Sequence, residues 1–220
     1  MKCAAPDFTI MWDNAYAVHD LTEDGDKLLD IFDEAEKYGN EDRIFYFTSS
    51  SKITFPGAGV AIMAMSDRNM AWVTPIFNVQ TIGHDKLNQL RHLEFLPNKE
   101  AVYELMKKHG AILRARFDIV LSTLEKDLGD LGIASWTRPN GGYFVSLDVM
   151  PGTAKRVFAL CKAAGVTLTG VGATFPYGRD PEDKNLRLAP SYPTTADLTV
   201  AMSVLTLAVR IAALEMLLAQ

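Results

Sequence analysis

The residues Thr48-Ser49-Ser50-Ser51-Lys52 directly follow an apolar run, Ile44–Phe47, and the rest of the interpretation is built on this junction. The apolar run is typical of a buried strand, and the serines begin where that strand would end. In open α/β sheets, ligands bind beyond the carboxyl ends of the strands. A lysine there could form a Schiff base with a carbonyl, and the surrounding hydroxyls and N–H groups could hold a phosphate. A solvated serine-rich loop with a surface lysine is the alternative that these residues leave open.

The composition is that of an ordinary soluble globular protein. Of 220 residues, 48% are apolar and 22% are charged, and the net charge of −5 gives no reason to expect nucleic acid. We find no uninterrupted apolar run of about 18 residues, so we expect no transmembrane helix. Asp7 and Asp13 interrupt any secretory signal at the start. Cys3 and Cys161 have no metal-site spacing and indicate a reducing compartment, hence the cytoplasm.

The first part of the chain is predicted to form part of an α/β sheet. Apolar runs predict strands at 8–12, 44–47 and 59–65, and a helical pattern covers 27–38. The first strand ends at Asp13-Asn14-Ala15-Tyr16, which could point two polar side chains into the crevice, although a turn aspartate with a packed tyrosine is equally compatible. These few strands are too little sheet to stand alone. Short helices with loops are expected from 68 to 98.

A long helix is predicted from Lys99 to about Leu128, with a bend at Gly110 at a domain junction. Beyond it the pattern favours a smaller α+β domain. We predict strands at 133–136, 143–148, 166–169 and 185–189, and helices at 155–164 and 195–218. The predicted division is therefore 1–98 and 99–220. His84 and His92 lie eight residues apart, which is a weak metal signal, and no metal site is predicted.

Four motifs occur in a specific order: Asp13-Asn14-Ala15-Tyr16, Ser49-Ser50-Ser51-Lys52, Gly141-Gly142-Tyr143-Phe144 and Asn185-Leu186-Arg187-Leu188. Together they resemble the fold-type I pyridoxal-phosphate aminotransferases of class I/II. The stretch from Ser51 to Gly59 is similar to a bacterial aspartate aminotransferase-like subgroup. The resemblance covers essentially the whole chain. It implies the C-terminal part of the large-domain sheet (1–98) followed by the small α+β domain with its connecting helix (99–220).

The resemblance also implies roles for individual residues. Lys52 would bind pyridoxal 5'-phosphate covalently and carry protons in catalysis, while Asp13 would pair with the pyridinium nitrogen so that the ring acts as an electron sink. Tyr16 would hydrogen-bond the cofactor's phenolic oxygen, and Ser49 and Ser51 would flank the phosphate. Arg187 would bind the substrate α-carboxylate as a bidentate fork, which suits a planar guanidinium. The implied reaction is amino transfer between an amino acid and a 2-oxoacid, with aspartate and 2-oxoglutarate expected, in a cytoplasmic homodimer.

Two departures from the family pattern accompany this resemblance. Family members commonly place a phosphate-binding arginine eight residues after the lysine, whereas this chain has Val60 there. The N–H groups of Gly57-Ala58-Gly59 are the suggested substitute. The part of the large domain that normally precedes the aspartate motif is also not in this sequence. We therefore expect the C-terminal half of such an enzyme, either truncated or one piece of a split protein that needs a partner chain.

Two other classes of function stay open at this stage. One is a non-catalytic, aminotransferase-like effector-binding domain of a transcription regulator, and the other is an inactive remnant that folds only with a partner. For a dicarboxylic substrate, Lys86 and Arg91 are weak candidates for binding the second carboxylate. A visible absorption band with added cofactor, lost on borohydride treatment, would separate the enzyme from both alternatives.

Overall fold

The computed structural model describes residues 5–219, so Cys3 lies outside the described residues. The chain divides into two compact units. Unit 1 contains residues 1–19 and 26–108, and unit 2 contains residues 20–25 and 109–220. The predicted division into a large-domain part at 1–98 and a small domain at 99–220 stays a prediction.

Unit 1 contains a three-stranded sheet in the order β1 (Ile10–Asp13), β2 (Ile44–Ser49), β3 (Ala61–Met65). Strand β1 runs parallel to β2, with Asp13 paired with Phe47, and β3 runs antiparallel to β2. All three predicted strands are confirmed, and β2 is longer than its apolar run because its ladder with β3 continues through Thr48 and Ser49. The fold is therefore that of an α/β sheet fragment, as expected.

Three helices of unit 1 are α1 (Ile31–Glu36), α2 (Asp67–Gln80) and α3 (Lys86–Phe95). Helix α1 is shorter than predicted because the Asp30 side chain accepts hydrogen bonds from the N–H groups of Phe32 and Asp33, which fixes the helix start. Gly39, at φ +61°, adopts the left-handed conformation shortly after the helix end. The short helices expected from 68 to 98 are confirmed as α2 and α3.

The long predicted helix is confirmed as α4 (Lys99–Leu128). It continues through Gly110, where a bend was expected. A Cβ atom at this position would lie 2.7 Å from the carbonyl oxygen of Asp20, so the glycine permits close approach of the backbone of residue 20. A glycine inside a helical pattern can therefore mark a packing contact without ending the helix.

Unit 2 has an antiparallel sheet in the order β4 (Ala134–Trp136), β5 (Val145–Val149), β6 (Asn185–Leu188). Two helices accompany it, α5 (Ala154–Ala163) and α6 (Thr195–Leu218). The alternating burial of β5 places Val145, Leu147 and Val149 in one apolar core with residues of the helices. This core accounts for the stability of unit 2, because burial of apolar surface is the dominant favourable term in folding.

The predicted strand at 166–169 is wrong. Within the described residues, the unit 2 sheet ends at β6, and 166–169 has no place in its ladder. The N–H of Val166 donates to the carbonyl of Cys161, so the segment begins as the exit from α5. An alternating apolar pattern makes a strand only where a neighbouring strand can pair with it.

Helix α6 is the one described helix that is long and apolar enough to cross a membrane, by length and composition alone, with a mean hydropathy of 1.9. Polar residues such as Ser203 interrupt its sequence, so it contains no unbroken apolar run of about 18 residues. Its side chains Leu198, Met202 and Leu205 belong to the core of unit 2. Length and composition alone therefore do not distinguish a membrane-spanning helix from the core helix of a folded domain.

Candidate active site

The segment 50–60, here called the lysine loop, begins directly where β2 ends. Ser50–Lys52 form a single 3-10 turn, which the Ser49 hydroxyl caps by accepting from the Ser51 N–H at 3.4 Å. The loop closes on itself because Val60 N–H donates to Ser50 Oγ at 2.9 Å, and Ser50 N–H donates to the Val60 carbonyl. The serines therefore fix the backbone that presents Lys52, and the Lys52 side chain is exposed.

Gly59 allows the far end of the lysine loop to lie against the serine turn. A Cβ atom at this position would lie 2.9 Å from Ser51 Oγ and 3.1 Å from the Ser51 backbone nitrogen. The suggestion that three consecutive N–H groups here substitute for the phosphate arginine needs correction. Ala58 N–H already donates to the Phe55 carbonyl at 3.1 Å, which leaves the N–H groups of Gly57 and Gly59 as candidates.

The residues after β1 meet the end of β2 at the same edge of the sheet, as the parallel pairing requires. Asn14 N–H donates to the Phe47 carbonyl at 2.8 Å, and Thr48 Oγ1 donates to the Asn14 carbonyl at 3.0 Å. Asn14 Nδ2 also donates to the Tyr46 hydroxyl at 3.1 Å. These bonds hold Asp13 beside the strand end that leads into the lysine loop.

A buried histidine connects the Tyr16 ring to the backbone of Lys52. His19 is only 3% exposed, and its ring lies edge-on to Tyr16 with a centroid distance of 5.3 Å. His19 Nε2 lies 3.2 Å from the Lys52 carbonyl oxygen, an acceptor, so this nitrogen carries the proton and donates. Sequence reasoning missed His19, because a lone histidine between two segments has no pattern that separates it from surface residues.

In unit 2, Arg187 lies in β6 opposite Ser146 of β5. Its guanidinium carbon is 4.5 Å from the centroid of the Phe144 ring, so the planar cation stacks on an aromatic face. Its Nε is buried and has no hydrogen-bond partner among residues 5–219. A buried donor in this state is costly, and a carboxylate oxygen is the partner that a guanidinium binds best.

The polar contacts of Asn185, two residues before Arg187, fix the start of β6. Asn185 Nδ2 donates to Ser146 Oγ at 2.9 Å and to Asp148 Oδ1 at 2.7 Å, and its Oδ1 accepts from Thr174 at 2.7 Å. Asp180 Oδ2 accepts from the Asn185 N–H at 2.8 Å. These bonds show why a strand of four residues can hold one arginine in a defined place.

The sequence profile of the aspartate aminotransferase family matches residues 1–220, which is the whole chain. The chain belongs to the aspartate aminotransferase family. An aspartate aminotransferase from Corynebacterium glutamicum is 48% identical over 215 residues, covering 98% of this chain and 50% of that protein. The chain therefore spans about half the length of this relative.

Solved structures of other aminotransferases share the fold. The crystal structure of an aspartate transaminase from Corynebacterium glutamicum has a TM-score of 0.94 and 48% identity, covering 98% of this chain and 51% of that chain. An α-aminoadipate aminotransferase from Thermus thermophilus, in complex with N-(5'-phosphopyridoxyl)-L-leucine, has a TM-score of 0.75 at 22% identity, covering 93% of this chain and 51% of that chain. At that identity, the second likeness shows the fold alone.

In this member of the aspartate aminotransferase family, five of the six predicted site residues belong to unit 1: Asp13, Tyr16, Ser49, Ser51 and Lys52. The sixth, Arg187, belongs to unit 2. Among residues 5–219, no group of three or more histidine, cysteine or acidic side chains could hold a metal ion. His92, one of the two histidines that gave the weak metal signal, contacts side chains of the lysine loop.

A cavity of about 630 Å3 in unit 1 adjoins the lysine loop and is lined in part by Thr48, Gly59 and Val60. Its size is in the range of sites for small molecules. Lys52 and Asp13 are not among the described residues that line it. We therefore do not assign this cavity to the cofactor.

Proposed function

We propose that the chain is the C-terminal half of a pyridoxal-phosphate-dependent aminotransferase that transfers an amino group between an amino acid and a 2-oxoacid. Aspartate and 2-oxoglutarate are the proposed pair, since the relative at 48% identity is an aspartate aminotransferase. The observation that carries the proposal is the series of contacts from Tyr16 through His19 to Lys52, at the carboxyl ends of the parallel strands β1 and β2. Open α/β sheets bind their ligands at this edge.

The described residues fit pyridoxal 5'-phosphate. When bound, this cofactor supplies an electron sink for the reaction at the substrate's α-carbon. Lys52 would supply the amine that binds its carbonyl carbon and would move protons, and Asp13 would hold the proton on the pyridinium nitrogen. Tyr16 would donate to the phenolic oxygen. The hydroxyls of Ser49 and Ser51 would face the phosphate, and the close approach of Gly59 to Ser51 supports a compact anion site there.

Arg187 is proposed to bind the α-carboxylate of the substrate. The support is its buried Nε without a partner, together with the stacking on Phe144 that orients the guanidinium plane. Two parallel N–H groups can bind both carboxylate oxygens, which a lysine ammonium cannot reproduce. The residue that binds a second carboxylate is not assigned.

We further propose that a second polypeptide segment completes unit 1, and that the complete enzyme is a cytoplasmic homodimer. Large apolar side chains of unit 1 are exposed in this chain, among them Met11 at 77%, Trp72 at 65% and Ile62 at 58%. Exposed apolar surface of this kind marks interaction sites. The buried free thiol of Cys161 is in keeping with a reducing compartment.

Chemical trapping tests the proposed role of Lys52. The chain is incubated with pyridoxal 5'-phosphate, reduced with borohydride and digested, and the modified peptide is identified by mass spectrometry. Preferential modification of Lys52 at limiting reagent is expected. Modification of other lysines with Lys52 untouched would contradict the assignment.

Turnover assays test whether the chain is sufficient. We expect no steady transfer from aspartate to 2-oxoglutarate by the purified chain with cofactor. We also expect self-association that is relieved by the missing segment. Steady turnover by a monodisperse preparation of this chain alone would show that no second polypeptide is needed.

A further inference from the structure

Helix α3 directs two polar side chains, one helical turn apart, at the lysine loop. Asn88 Nδ2 donates to the carbonyl oxygens of Ala58 and Gly59, at 2.9 and 3.3 Å. His92 Nε2 lies 2.8 Å from Thr54 Oγ1 and 3.1 Å from Ser50 Oγ. Residues four apart share one face of a helix, so this pair contacts both ends of the loop from one side.

The partners of His92 define its tautomer. Its Nδ1 lies 2.9 Å from the Asn88 carbonyl oxygen, which can only accept, so Nδ1 carries the proton. In the neutral imidazole, Nε2 then offers a lone pair. The nearby hydroxyls of Ser50 and Thr54 must supply the proton for that hydrogen bond, which sets the direction in which a hydroxyl of the lysine loop points.

Ser50 is the central residue of this network. Its Oγ accepts the Val60 N–H at 2.9 Å, and its carbonyl accepts from the N–H groups of Ile53 and Thr54 at 2.9 and 2.8 Å. The Thr54 hydroxyl also lies 3.1 Å from that carbonyl. His92 therefore contacts the Ser50 hydroxyl, which bonds the far end of the loop at Val60, and also the Thr54 hydroxyl. Lys52 lies between these two residues in the sequence.

Helix α3 has no buried residue, so apolar burial does not explain its contact with the loop. Its leucines at 87, 90 and 93 are each more than half exposed, at 61%, 56% and 59%. The contacts with the lysine loop are those of polar groups with good hydrogen-bond geometry.

We propose that Asn88 and His92 form a positioning clamp that holds the lysine loop in the conformation in which Lys52 reacts with its carbonyl partner. This proposal rests on the proposed function, since it takes the amine of Lys52 to be the reactive group. His92 acts through Ser50 and Thr54 and is a positioning residue. The clamp also reaches the position at which family members commonly have a phosphate-binding arginine. That position is Val60 in this chain, and its N–H donates to Ser50 Oγ.

The test compares the 220-residue chain with His92→Leu, which removes the acceptor, and His92→Gln, which restores an acceptor on a side chain of similar reach. His84→Leu, a change at an exposed histidine shortly before α3, is the matched control. The first measurements need no ligand. They are the 15N chemical shifts of the imidazole, which report the tautomer, and the hydrogen exchange of the Val60 amide.

We expect the Nδ1–H tautomer for His92 and about tenfold faster exchange of the Val60 amide in His92→Leu, with His92→Gln and His84→Leu close to the parent. The second measurement is the rate of Lys52 modification by pyridoxal 5'-phosphate, trapped with borohydride. It should fall about tenfold in His92→Leu, while modification of the exposed Lys27 is unchanged.

The two proposals fail in different ways. If Lys52 of the parent chain is not modified, the proposed function is contradicted, and the exchange data still decide whether the clamp exists. If the parent is modified and His92→Leu reacts equally fast, the clamp is refuted and the function of Lys52 stands. An Nε2–H tautomer, or unchanged exchange at Val60 in His92→Leu, would also overturn the clamp.

Discussion

Replacing Arg187 by methionine separates a ligand-binding arginine from a structural one. The buried Nε without a partner costs the free chain about 1–3 kcal/mol, the usual penalty for an unsatisfied buried donor. The stacking on Phe144 returns about 0.5–1 kcal/mol. Arg187→Met removes both while keeping a long side chain, so we expect unit 2 to be more stable by about 0 to 2.5 kcal/mol.

Arg116 provides the matched control within unit 2. It is also half-buried, but its Nε donates to the Pro193 carbonyl at 3.1 Å. Arg116→Met should destabilise unit 2 by about 1.5–3 kcal/mol, the value for a hydrogen bond from a charged donor. Hydrogen exchange of peptides from β5 and β6 gives the opening free energy of each variant. A loss of stability in Arg187→Met as large as that in Arg116→Met would refute the reasoning and make Arg187 a structural residue.

Three further tests concern other residues of unit 2. Asn185→Ala removes hydrogen bonds to three side chains and should lower the free energy of unfolding by about 2–3 kcal/mol, measured by urea denaturation; a loss below about 0.5 kcal/mol would contradict this. For Asp180, burial opposes ionisation, but hydrogen bonds from the backbone N–H groups of Asn185, Lys184, Glu182 and Asp183 outweigh it and lower the pKa of Asp180. The stability it contributes is therefore present at neutral pH and lost as the pH falls through the folded-state pKa, so Asp180→Asn should lower the urea midpoint at neutral pH and flatten this acid dependence. Burial raises the pKa of Cys161 to about 11, so its thiol should resist a disulfide reagent at about pH 8 until the chain unfolds; rapid reaction in the folded chain would show that the thiol is accessible.

The long periodic elements could be predicted from the sequence, because each satisfies its own backbone hydrogen bonds. Helices α4 and α6 were predicted with their observed bounds. The strand expected at 166–169 fails because a strand depends on a neighbour that lies elsewhere in the sequence. The serine-lysine stretch does lie at a strand end, as predicted. Here the preceding apolar run has the neighbours that a strand needs, because it pairs with β1 on one side and with β3 on the other.

The contacts of the histidines could not be read from the sequence. His92 meets Ser50 across 42 residues, and His19 meets the Lys52 carbonyl across 33. Spacing along the chain gives no information on such pairs, and it produced only a weak metal signal for His84 and His92. Asn88 and His92 lie one turn apart on α3, but Lys86, Gln89, Arg91 and Glu94 are also polar, so the pair does not stand out in the sequence.

The backbone passes between the two units three times, at 19/20, 25/26 and 108/109. The six-residue excursion 20–25 inserts buried Leu21 into the core of unit 2, where the Leu21 carbonyl accepts from Arg114 Nε at 2.8 Å. No single cut can therefore separate the chain into two complete folding parts. A fragment beginning at residue 109 would lack Leu21 and so leave a gap in the core of unit 2. A synthetic peptide containing residues 20–25, added in trans, should fill this gap and restore the stability of the fragment.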